Sequence, residues 1–113
     1  MALSKLHRLT RKRDIDAVYQ NGKTVKGSFF FVRFLKNDLN NARIAVIVST
    51  KARKTNVERN SIRRKVQAVL GVDELLQSHF DILIIVVESI LRKPADEIKT
   101  EIHKVIEKIM VKF

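Results

Sequence analysis

Hydrophobic positions along this chain switch between two periods, and the switches divide it into elements. Ile62, Val66, Val69 and Leu70 recur at i, i+4, i+7 and i+8, a helical stripe. Ahead of them Thr55-Asn56-Val57-Glu58 has the form of a capping box, and Gly71 stands where a C′ residue is expected. A wider stripe, Ile98, Ile102, Val105, Ile106, Ile109 and Met110, follows Pro94 with Asp96 and Glu97 in its first turn, predicting a last helix whose role is packing. His103 is expected on its exposed side. A first helix is predicted from Thr10 or Arg11 to Gln20, with Ile15, Val18 and Tyr19 apolar and Asn21-Gly22 as its stop.

Period two replaces the helical period at Gly27–Lys36, where Phe29, Phe31 and Arg33 share one face and Phe30, Val32 and Phe34 the other. Arg33 interrupts an apolar face and so is expected to open to solvent or to a ligand. Asn37–Asn41 reads as a hairpin turn. The second strand, Ala42–Ser49, places Ile44, Val46 and Val48 on one face and Ala45, Ile47 and Ser49 on the other, whose small residues allow a ligand close approach. Phe80–Glu88 is a continuous apolar run, the mark of a strand buried on both faces and paired in parallel after a helical crossover. The expected class is α+β, a two-layer α/β sandwich of order α-β-β-α-β-α, in one domain over residues 1–113.

Charge changes the picture. Net charge is +11, and residues 1–65 hold 17 Lys or Arg against 4 Asp or Glu, whereas residues 66–113 hold 6 against 8. The excess concentrates in a basic arm over residues 1–10, running on into Arg11, Lys12 and Arg13, and in a loop and helix over residues 51–70. Such a bias points to a polyanion. The basic helix lacks the large apolar face of an interfacial membrane binder, and no segment reads as a secretory signal or a membrane span. Cysteine is absent, which suits a reducing compartment, and a cytoplasmic location is expected. At about 100° per residue, Asn60, Arg63, Arg64 and Gln67 fall on the face away from the apolar stripe, with Arg59 at its edge. Docking that stripe would hold them outward as donors for phosphate and base edges, although a merely solvated basic face is the competing reading.

Catalytic groups are scarce. His7, His79 and His103 are scattered, with no carboxylate cluster at metal-ligand spacing, and no glycine-rich phosphate loop exists. No side chain qualifies as catalytic and none as a protein metal ligand. A DNA-binding role lacks a dimerising segment.

Arg59-Asn60-Ser61-Ile62-Arg63-Arg64, preceded by Val48-Ser49-Thr50-Lys51, resembles the signature helix of the bacterial ribonuclease P protein component. That family carries R-N-x-[apolar]-[KR]-[KR]. Ser61 stands where it usually has Arg or another large residue, and Asn56 where it often has Ala. The resemblance implies a left-handed strand–helix–strand crossover and a monomeric protein subunit of the ribonucleoprotein that removes the 5′ leader from precursor tRNA. It implies hydrolysis by the RNA subunit with Mg²⁺ held mainly by that RNA and the substrate. Lys51, Arg53, Lys54, Arg59, Asn60, Arg63, Arg64 and Gln67 are then expected on the catalytic RNA. Tyr19, Phe29, Phe31 and Arg33 are expected in a leader cleft between the first helix and the sheet, and Arg8, Arg11, Lys12 and Arg13 on phosphates. The alternative is a general RNA-binding or ribosome-associated module with no role in cleavage.

Overall fold

Phe80–Val86 is buried at every residue, and the rest of the structure is arranged around it. A computed structural model describes residues 5–39, 41–49, 55–71, 73–88 and 93–112. Four strands, β1 (Lys23–Lys26), β2 (Phe30–Lys36), β3 (Arg43–Val48) and β4 (Phe80–Val86), form one sheet of order β1-β2-β4-β3. β4 pairs antiparallel with β2 and parallel with β3. A strand with neighbours on both edges and cover on both faces can be apolar throughout, which is why its sequence shows no alternation.

Among the described residues the helices are α1 (Lys12–Asn21), α2 (Asn56–Gln67) and α4 (Ala95–Lys112), with the single turn α3 (Asp73–Leu76) and a short 3-10 turn at Lys5–His7. Thr55 caps α2 as its sequence predicts, Oγ1 accepting from the Glu58 N–H at 3.2 Å and donating to the Glu58 carboxylate at 2.8 Å. Ile62 and Val66 of α2, the following Leu70, and Ile98, Ile102 and Ile109 of α4 close over Val32, Phe34, Ile44, Val46, Ile82 and Ile84 in the larger core. On the opposite face α1 builds a smaller cluster from Val18, Leu9, Leu83 and Ile85. Each fully buried large apolar side chain contributes roughly 1.5–3 kcal/mol, so the α4 side supplies most of the apolar stabilisation. The two-layer reading describes that side; α1 adds a partial third layer and needs polar anchors.

Several expectations change. Asn37–Asn41 is not a hairpin turn, because β4 inserts between β2 and β3. The tight hairpin lies earlier: Lys26 pairs with Phe31, the Gly27 N–H donates to the Phe30 carbonyl at 2.8 Å, and Ser28 and Phe29 form the loop. β1 escaped the sequence reading because KTVK has one apolar residue, Val25, which alone packs on the core. His103 is half-buried rather than exposed, with Nε2 at 2.9 Å from the Val69 carbonyl.

Gly22 ends α1 for a steric reason. Its φ is −77°, open to any residue, but a Cβ there would collide with the Val18 carbonyl oxygen and lie 2.9 Å from that of Phe34. The helix end sits directly against β2.

Candidate nucleic-acid interface

Pairing across the sheet fixes which side chains share the α1 face. Lys26, Phe31, Ile85 and Ile47 make one row; Thr24, Arg33, Leu83 and Ala45 make the next; Leu35, Asp81 and Arg43 make a third. α1 is fastened over the second and third rows by two arginines. From β3, the Arg43 guanidinium holds Asp81 through Nε at 2.9 Å and Nη2 at 2.6 Å, and reaches Asp14 of α1 through Nη1 at 3.1 Å. Asn37 Nδ2 donates to the same Asp81 at 2.9 Å. The Asp81 hydrogen bonds raise the Arg43 pKa above its ordinary value, opposed by burial and helped by the nearby Asp81 and Asp14 charges. From β2, Arg33 reaches the end of α1. It donates to Thr24 Oγ1 at 2.8 Å, to the carbonyls of Val18 at 3.3 Å and Gly22 at 3.2 Å, and to that of Tyr19.

The first row has no such fastening. Phe31 and Ile47 are half-buried around Ile85, with Val87, Ala45 and Ile15 packed on the same cluster. Tyr19, one turn beyond Ile15, is 44% exposed. A half-covered apolar shelf with aromatic side chains suits stacked bases.

The second feature lies on the outer edge of β3. There the Ile44 carbonyl accepts from the Leu9 N–H at 2.9 Å, Arg8 forming a parallel bridge with Ile44. Two residues on, the Val46 carbonyl accepts from Arg63 Nε at 3.2 Å. Successive outward carbonyls on a strand are about 7 Å apart, so the arm and α2 dock side by side although Leu9 and Arg63 are 54 positions apart in sequence. Both are basic. An edge strand needs its free carbonyls covered, and here cationic segments provide the cover.

Of the residues expected on the catalytic RNA, Asn60 and Arg64 are exposed on α2 and Gln67 is half-exposed. Arg63 is not a free outward donor: besides Val46 it donates to Asn60 Oδ1 at 2.5 Å. Arg59 donates to Asn56 Oδ1. Lys51, Arg53 and Lys54 lie outside the described residues. Arg8, Arg11, Lys12 and Arg13 are all exposed, and His7 holds the Ala42 carbonyl at 2.9 Å through Nδ1.

Of the residues expected in the leader cleft, Tyr19 and Phe31 lie on the α1 side. Phe29 does not. It is 0% exposed in the core on the α4 side, its ring 4.7 Å from that of Phe30. Phe29 belongs to the hairpin loop, so strand alternation does not reach it. Arg33 lies on the expected face, yet its guanidinium is committed to α1. The sequence reading missed Asp14, Arg43 and Asp81 as a unit, although Asp81 gave a signal: a carboxylate inside a buried apolar run requires a cation.

The family model for ribonuclease P matches residues 3–110. The chain belongs to the ribonuclease P protein family. A ribonuclease P protein component from Staphylococcus epidermidis is 33% identical over 110 residues, covering 96% of this chain and 90% of that protein. One from Synechococcus elongatus is 33% identical over 91 residues, covering 76% and 75%. The fold matches the ribonuclease P protein structures of Staphylococcus aureus, with TM-score 0.78 at 23% identity over 91% of this chain and 94% of that one, and of Thermotoga maritima, with TM-score 0.78 at 23% identity over 89% and 96%. Among the described residues no helix is long and apolar enough to cross a membrane.

Proposed function

We propose that this protein is the protein subunit of ribonuclease P and binds RNA on two surfaces meeting at β3. On the first, Asn60, Arg64 and Gln67 of α2, with Arg59 and Arg63 beside them, contact the catalytic RNA. Lys51, Arg53 and Lys54 extend that contact along the chain, and Arg8, Arg11, Lys12 and Arg13 supply phosphate contacts from the arm and the start of α1. On the second, the shelf of Phe31, Ile47 and Ile85 beside Tyr19 receives the single-stranded 5′ leader of precursor tRNA. Base stacking on aromatic side chains contributes on the order of 1–3 kcal/mol per base and tolerates any sequence, as leaders of varied sequence require.

The observation that carries this reading is the docking of two basic segments on successive outward carbonyls of β3, the strand whose Ile47 adds to the shelf beside Ile85 and Phe31. A leader held on the shelf therefore lies beside the RNA-binding edge. Among the described residues no three His, Asp or Glu side chains converge as metal ligands. We assign phosphodiester hydrolysis to the RNA subunit, with Mg²⁺ held mainly by that RNA and the substrate. The protein's part is to hold substrate and RNA together in the cytoplasm as a monomeric subunit.

The test is precursor-tRNA cleavage by the cognate RNA subunit at low Mg²⁺, with and without the protein. Restored accurate 5′ processing supports the reading. Binding to the RNA with no change in cleavage would leave a general RNA-binding module instead.

A further inference from the structure

β1 carries a cation into the first row of the sheet. Lys26 is directly opposite Phe31 in the β1–β2 ladder, and opposed residues of an antiparallel pair put their side chains on one face, with Cβ atoms about 4.5–5.5 Å apart. Lys26 is exposed and makes no ion pair among the described residues. It therefore stands beside the half-buried Phe31 ring, on the side of the shelf away from β3. Three strand spacings separate β1 from β3, about 14 Å in all.

From this arrangement we infer that Lys26 is a phosphate-contacting residue for the single-stranded leader, extending its path from the catalytic-RNA edge at β3, across Phe31, to the β1 edge. The inference rests on the leader-binding reading above and names where that path ends. A base stacked on Phe31 leaves its backbone at the rim of the shelf, and an ammonium group on a flexible stem can follow a phosphate there without fixing the sequence. The guanidinium next in line, Arg33, is occupied by α1 carbonyls and Thr24, so it leaves this role to Lys26. A lysine on an edge strand also discourages strand-to-strand association. Lys23 serves that purpose equally well, since its partner Phe34 places it on the α4 face of the same strand.

The experiment compares precursor tRNA, a short-leader precursor and mature tRNA for binding to the reconstituted holoenzyme, using the parent protein, Lys26→Glu, Lys26→Gln and Lys23→Glu. Lys26→Glu should weaken long-leader precursor binding by about threefold to tenfold relative to mature tRNA. Lys26→Gln should lose less, and lower the salt slope of precursor binding by about one. The short-leader substrate should show neither effect. Lys23→Glu should leave the precursor-to-mature ratio unchanged. If Lys26→Glu retains the full precursor preference, or if Lys23→Glu lowers it as much, Lys26 has no local role and the inference fails while leader binding stands. If the parent holoenzyme shows no precursor preference, the leader-binding reading fails and this inference with it.

Discussion

Replacing Arg33 with Met separates an anchoring arginine from one that meets RNA. Methionine keeps most of the apolar stem and removes the guanidinium, so Thr24 Oγ1 and the carbonyls of Val18, Tyr19 and Gly22 lose their donor. The sum of four charged hydrogen bonds overstates the loss. The bonds to Thr24 and Tyr19 are exposed and water can replace them, those to Val18 and Gly22 are long, and the Val18 carbonyl keeps the Gly22 N–H at 2.9 Å. Arg33 Nε is itself buried with no hydrogen-bond partner among the described residues, which offsets part of the gain. A cation at a partly buried helix C-terminus contributes up to about 2 kcal/mol, and we expect Arg33→Met to cost about that much. For a domain of this size the corresponding fall in Tm is about 8 °C, measurable by thermal unfolding followed by circular dichroism. Arg33→Lys should recover less than half, because a single ammonium cannot reach both Thr24 and the helix end. An Arg33→Met protein as stable as its parent refutes the anchoring. One that keeps its stability while losing precursor binding places Arg33 on the RNA.

Other perturbations follow from the same contacts. Arg64→Glu should weaken binding to the RNA subunit by more than about tenfold and leave stability within about 0.5 kcal/mol; filter binding paired with urea unfolding checks both, and a large stability loss would make Arg64 structural. Asp81→Asn should cost about 2–3 kcal/mol, below the 3–5 kcal/mol of a fully buried pair because the Arg43 side chain is 23% exposed and keeps Asp14; an unchanged urea midpoint would contradict this. Gly22→Ala should lose about 1–3 kcal/mol, since two backbone oxygens must move, and a neutral result in the same assay would mean that α1 can shift away from β2 freely.

Elements whose information is local were legible from the chain. The Thr55–Glu58 cap, the stripes of α2 and α4 and the alternation of β3 each follow from residues within a turn or two of one another. So did the parallel pairing of β4 with β3, because a buried run after a helix has few other places to go. The position of β4 between β2 and β3 was not legible: Asn37–Asn41 has turn residues whether or not the strands it joins become neighbours. β1 failed for the opposite reason, since its pairing with β2 depends on backbone bonds that leave little trace in KTVK. Phe29 and Arg33 show the limit for sites. Period two put both on one face and the family resemblance placed that face in the leader cleft, but a two-residue hairpin loop turns Phe29 into the other core and the end of α1 captures Arg33. Composition showed that the protein is basic; only the β3 edge explains how the arm and α2 come to lie side by side.

The central claim is that the α1-side shelf holds the leader while α2 faces the catalytic RNA, and site-specific photocrosslinking tests it most directly. A photoreactive phenylalanine analogue at Tyr19 and another at Arg64, each in reconstituted holoenzyme with precursor tRNA, report which RNA lies within reach. The account predicts crosslinks from position 19 to the 5′ leader and from position 64 to the RNA subunit. Crosslinks from position 19 to the RNA subunit alone, with the leader untouched, would contradict it.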